Sequence, residues 1–207
     1  MTAQQHDSDS RQAHLLAVQQ EQHRLRTRQR ARPIITSITT VSLIALIAAG
    51  LWLARPTSND VPTAQATPEF TLPTTASTSV SLSDYRGKPV VLYFNEGAGC
   101  GSCTQQMAAI EKDADFAKSG IVVLPIVMNT AAEIQPDMDR FGVTTPYLLD
   151  DGTVSKAFGA LDKGMHKGLP GHGFVLIDKE GRQRWQGNYP SMWLDPARLL
   201  NEVRSRL

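Results

Sequence analysis

The chain has 207 residues, a formal net charge of +1, 41% hydrophobic and 20% charged residues; these globular values leave room for one ordinary domain plus extras and exclude wholesale disorder or a collagen-like repeat. Near-neutral charge gives no whole-chain case for binding nucleic acid. Two cysteines cannot make a multi-disulfide scaffold, a four-thiolate zinc site or an iron–sulfur cluster on protein ligands alone.

The charge is unevenly placed. Residues 1–33 hold six Lys/Arg against three Asp/Glu, and residues 34–207 hold fifteen against seventeen. Residues 1–33 therefore read as a basic tail, closing on Arg24, Arg26, Arg28, Arg30 and Arg32. Next comes Ile34–Ala54, which carries no charge and matches the roughly 20 residues a helix needs to cross a bilayer core. The apolar run is longer than the h-region of a cleaved signal peptide, so it reads as an uncleaved single transmembrane anchor. The arginines on its leading flank predict a cytoplasmic N-terminus and an extracytoplasmic remainder. Residues 55–68, with Pro56, Pro62 and Pro68 among Thr, Ala and polar residues, read as an extended linker.

From residue 69 to 207 strand and helix patterns alternate. Pro89–Asn95 (PVVLYFN) is a short apolar, β-branched run suited to a buried strand. Cys100–Lys118 has helical spacing and meets a stop at Gly120. Ile121–Met128 is a second apolar strand, and Ala131–Phe141 a helix that contains Pro136 and closes at Gly142. Tyr147–Leu149 is a short extended piece and Val154–Phe158 a short helix. Phe174–Asp178 turns through Lys179-Glu180-Gly181 into Gln183–Gln186, a hairpin pattern. Asp195 and Pro196 supply an N-cap and a first-position proline for a last helix, Asp195–Leu207. The sum is an α/β domain: a mixed sheet flanked by helices.

Function turns on Cys100-Gly101-Ser102-Cys103, which follows the first strong strand through a glycine-containing loop and opens a helix. A thiol at a helix N-terminus faces unpaired N–H groups and the positive end of the dipole, which favour thiolate, the attacking species in disulfide exchange. Cys100 is thus the candidate nucleophile and Cys103, one turn on, the residue that resolves the mixed disulfide. A structural disulfide closing so short a loop would be a poor stabiliser. Half of a metal site is the other reading, with His166 and His172 as further ligands.

Ser81–Phe94 (SLSDYRGKPVVLYF) followed by this CxxC resembles the entry of redoxin-type thioredoxin-fold proteins, the TlpA/ResA-like thiol–disulfide oxidoreductases and AhpC/TSA peroxiredoxin relatives. Pro146–Gly159 and Gly173–Trp185 resemble later segments of the same family. The resemblance implies a thioredoxin-like domain over residues 69–207, exchange of electrons with protein thiols and disulfides, no organic cofactor, and a membrane electron donor such as a DsbD/CcdA-like transporter. The peroxiredoxin pattern Pro-x-x-x-Thr/Ser-x-x-Cys is not present: Glu96 stands at its Pro position and Cys100 at its Thr/Ser position.

Two neighbours of the pair are further candidates. Glu96, four residues before Cys100, could shuttle protons during resolution. His172, between Gly171 and Gly173, lies in the loop that faces the cysteines in related folds, where it could steady a thiolate or accept a proton. Thiol-dependent peroxidase activity is an alternative function. A Cu(I) carrier resembling the Sco type is another, using Cys100, Cys103, His172 and His166 or the thioethers Met165 and Met192.

Overall fold

The computed structural model describes residues 42–52 and 55–207. It divides into two compact units, Met1–Leu53 and Ala54–Leu207. In the first, residues 42–52 form a helix (α1) whose Leu43, Ile44, Leu46, Ile47, Leu51 and Trp52 side chains are exposed. At 1.5 Å per residue it extends about 16 Å, roughly half of a ~30 Å bilayer core. Among the described residues no helix is long and apolar enough to cross a membrane. This corrects the single span expected at Ile34–Ala54, and with it the N-in topology and the extracytoplasmic placement that rested on that span. The described helix accounts for 11 residues, whereas a span needs about 20. The rest of the expected span and the basic tail lie outside the described residues.

The second unit is built on a six-stranded sheet of order β1-β8-β7-β4-β5-β6. Its strands are β1 (Thr57–Ala66), β4 (Val90–Phe94), β5 (Val122–Val127), β6 (Leu148–Leu149), β7 (Gly173–Ile177) and β8 (Arg182–Asn188). β4 and β5 are parallel, as are β5 and β6, while β7, β8 and β1 add antiparallel neighbours. The small hairpin β2–β3 (Thr71–Pro73, Ser79–Ser81) and a 3₁₀ turn, Leu82–Tyr85, precede β4. Residues 55–68, read from sequence as a linker, contain β1, which lines the sheet edge along β8 from Thr57↔Asn188 to Ala66↔Arg182.

All five residues of β4 are buried because both faces of the sheet are covered. Val91 and Tyr93 join Phe174, Leu176 and Trp185 in one core with helices α2 (Gly101–Lys112), α3 (Ala114–Ser119), α4 (Ala131–Phe141) and α6 (Pro196–Arg204). Val90, Leu92 and Phe94 face the other way, against Leu72, Leu82 and α5 (Thr153–Ala157), as the two-residue period of a strand requires. The helix expected over Cys100–Lys118 is divided at Asp113, whose Oδ1 accepts from Asp115 N and Phe116 N at 2.9 Å and so begins α3 afresh. α4 runs through Pro136, held at its start by a Thr130–Glu133 capping box and ended by left-handed Gly142.

Candidate active site

The central strand β4 delivers the chain to the site. Beyond Phe94, Asn95 and Glu96 stay buried, and the loop that follows is tied down atom by atom. Gly97 N donates to Asn95 Oδ1 at 3.1 Å, Ala98 N to Asn129 Oδ1 at 2.9 Å and Gly99 N to Asp137 Oδ2 at 2.9 Å. Gly97 has φ 79°, and a Cβ there would lie 1.8 Å from Asn129 Oδ1, so position 97 calls for glycine.

Cys100 is the N-cap of α2, and its carbonyl accepts from Cys103 N at 2.9 Å and Thr104 N at 3.3 Å. Cys100 and Cys103 are joined as a disulfide with Cα atoms 5.3 Å apart. Their surroundings differ. Cys103 is 0% exposed, whereas Cys100 is half-buried and borders a groove of about 380 Å³ lined by Glu96, Ala98, Gly99, Met165, His166 and Leu169. A larger apolar groove of about 510 Å³ lies between Phe70, Leu149 and Phe158. No thiol or imidazole lines it, so the chemistry belongs to the smaller one.

Glu96 is 3% exposed and fully engaged. Its carboxylate accepts from Met165 N at 2.7 Å, from His166 N at 3.4 Å and from His166 Nδ1 at 2.7 Å. It thereby fastens the 164–169 loop beside Cys100. A Cβ on Gly164 would lie 2.2 Å from Glu96 Oε1, so glycine admits this approach.

His172 takes a different place. It is 0% exposed and is absent from the groove that Cys100 borders. Its ring packs edge-on to Tyr93 at 5.0 Å and Phe174 at 5.7 Å. The Tyr93 hydroxyl lies 3.1 Å from His172 Nδ1 and donates to the Cys103 carbonyl at 3.0 Å. Burial lowers the His172 pKa to about 3, so the imidazole is neutral across the physiological range. The unfolded chain takes up this proton below pH ~6.5, whereas the folded chain takes it up only near pH 3. Stability from this residue is complete above pH 6.5 and is lost as pH falls towards 3, by about 1.4 kcal/mol per pH unit. Urea titrations at pH 7 and 4.5 should show the native protein losing about 2–3 kcal/mol more than His172→Leu over that interval; equal losses would contradict a neutral buried imidazole.

The four residues of the copper reading do not gather. His166 is held on Glu96 and His172 behind Tyr93, and among the described residues no group of three or more His, Cys, Asp or Glu side chains is arranged to hold a metal. Tyr93, Asn129 and Asp137 carry no local sequence signal of their place at the site. Tyr93 reads as one more core aromatic, although a hydroxyl inside a wholly buried strand signals a polar partner.

Comparison with known proteins agrees with this architecture. The AhpC/TSA family model matches residues 63–186. A Mycobacterium tuberculosis protein provisionally named a peroxiredoxin is 32% identical over 121 residues, covering 56% of this chain and 77% of its own length. A Thermoplasma volcanium peroxiredoxin is 30% identical over 147 residues, 67% of this chain and 70% of its own. The solution structure of a Bacteroides thetaiotaomicron protein, provisionally described as a protein disulfide isomerase, superposes with a TM-score of 0.54 at 26% identity, over 71% of this chain and 91% of that one.

Proposed function

Because this chain belongs to the AhpC/TSA family, we propose that it is a thiol redox enzyme that exchanges electrons with protein thiols and disulfides through Cys100 and Cys103. The supporting observation is the unequal exposure of the bridged pair: Cys100 borders an open groove while Cys103 is sealed beneath it. A Cys100 thiolate attacks a substrate disulfide, forming a Cys100–substrate bond and expelling one substrate thiolate. Cys103 then attacks the Cys100 sulfur, the Cys100–Cys103 bond forms, and the second substrate thiolate leaves and takes up a proton. Two electrons pass to the substrate, and an external dithiol restores the pair. The DsbD/CcdA-like donor that the family resemblance implied has no part in this reading.

Insulin with dithiothreitol tests it: the full chain should speed reduction of the insulin disulfides well above dithiothreitol alone, and no acceleration would overturn the proposal. Thiol peroxidase activity is the second reading, favoured by the peroxiredoxin names of the relatives. Against it, no hydroxyl or guanidinium side chain lines the groove to bind the O–O group. Stopped-flow oxidation of the reduced chain by hydrogen peroxide decides: a rate close to that of a free thiol supports disulfide exchange, and a rate orders of magnitude faster supports peroxidase action.

A further inference from the structure

Three buried groups, on β4, on α2 and in the loop before β7, meet behind the disulfide. Tyr93, on β4, donates its hydroxyl hydrogen to the Cys103 carbonyl at 3.0 Å. The same hydroxyl oxygen lies 3.1 Å from His172 Nδ1 and 3.5 Å from Nε2, so the imidazole is its second polar neighbour. Each member is immobilised. The Tyr93 ring stacks on Phe174 at 4.7 Å with planes 13° apart, and the His172 carbonyl accepts from Tyr189 N at 2.8 Å. A Cβ on Gly171, just before His172, would lie 2.5 Å from the Lys163 carbonyl carbon, so the backbone there passes too close for a side chain.

The first turn of a helix is its least constrained part, because its leading N–H groups have no partner within the helix. In the oxidised pair the disulfide itself holds Cys103 near Cys100. In the mixed disulfide that bond is absent, and the Tyr93 hydroxyl still anchors the Cys103 peptide from outside its helix. We propose that Tyr93 and His172 are positioning residues that keep Cys103 in register with Cys100, so that resolution is fast and the pair favours its disulfide. Held groups react as though at high effective concentration, and a neighbouring strand that is wholly buried is a rigid support. The mechanism rests on the exchange chemistry proposed above, but the equilibrium of the pair can be measured without any protein substrate.

The test equilibrates the full chain with glutathione buffers of set ratio and counts free thiols. Tyr93→Phe keeps the ring, its stacking and its burial and removes only the hydroxyl. Its constant for disulfide formation should fall roughly tenfold, about 30 mV for a two-electron couple, and its glutathione mixed disulfide should persist correspondingly longer. His172→Leu should shift the equilibrium in the same direction, and the double variant should add little further because both act through one contact. A Tyr93→Phe equilibrium within twofold of the native value, or one shifted toward the disulfide, overturns the proposal, and so does full additivity of the two changes. A merely structural role would lower the unfolding temperature and leave the equilibrium in place. If insulin is not reduced while the tenfold shift is seen, the substrate reading fails and the positioning role stands.

Discussion

Cys100→Ser is expected to abolish dithiol-driven reduction of protein disulfides, with a loss of at least ~10³-fold, the scale seen when an enzyme's attacking atom is removed. Cys100 borders the groove, whereas Cys103 is 0% exposed, and a sulfur sealed from solvent cannot meet a disulfide on another protein. Cys100 also caps α2 without a side-chain hydrogen bond of its own, so its sulfur sits where the unpaired N–H groups of the first turn favour negative charge. A hydroxyl at this place is far less acidic and does not attack sulfur. Turnover in the insulin assay measures the effect; activity within tenfold of the native chain would move the attacking role elsewhere.

Trp185→Ala is expected to cost about 3–5 kcal/mol and to lower the unfolding temperature by roughly 10 °C or more for a unit of this size. Trp185 is 0% exposed in the core on the helix-bearing face of the sheet. Its Nε1 donates to Ser58 Oγ at 2.6 Å, and the Arg206 guanidinium lies 5.5 Å above its ring. Removing the indole therefore empties the core and releases two surface elements together: β1, which carries Ser58, and the C-terminal turn, where Arg206 also pairs with Asp60. Thermal unfolding followed by circular dichroism reads the loss. A shift of only a degree or two would show that β1 and the C-terminus are held without this residue.

The segments legible in the sequence are those whose own side chains decide their state. β4 and β5 are continuous apolar, β-branched runs, and the Asp195-Pro196 start of α6 carries its signal locally. β1 was not legible because its strand state comes from backbone pairing with β8, while its Pro, Asn and Asp favour irregular chain. The cysteine pair declared itself by spacing. Its supports did not: Glu96 meets His166 across 70 residues and Tyr93 meets His172 across 79, and no local pattern records such partners. Glu96 shows what is lost. Read alone it is a candidate proton shuttle; the fold adds that its oxygens accept from the 165–166 donors.

Which sulfur attacks is the point on which the account divides from the peroxiredoxin pattern, whose spacing would assign attack to Cys103. Peptide mapping by mass spectrometry answers it directly. Cys100→Ser and Cys103→Ser chains, reduced and then mixed with a protein disulfide, are quenched with acid and digested. Substrate is expected bridged to Cys100 in the Cys103→Ser chain, with almost none on Cys103 in the Cys100→Ser chain. Adducts on Cys103, with Cys100 left as a free thiol, would contradict that expectation.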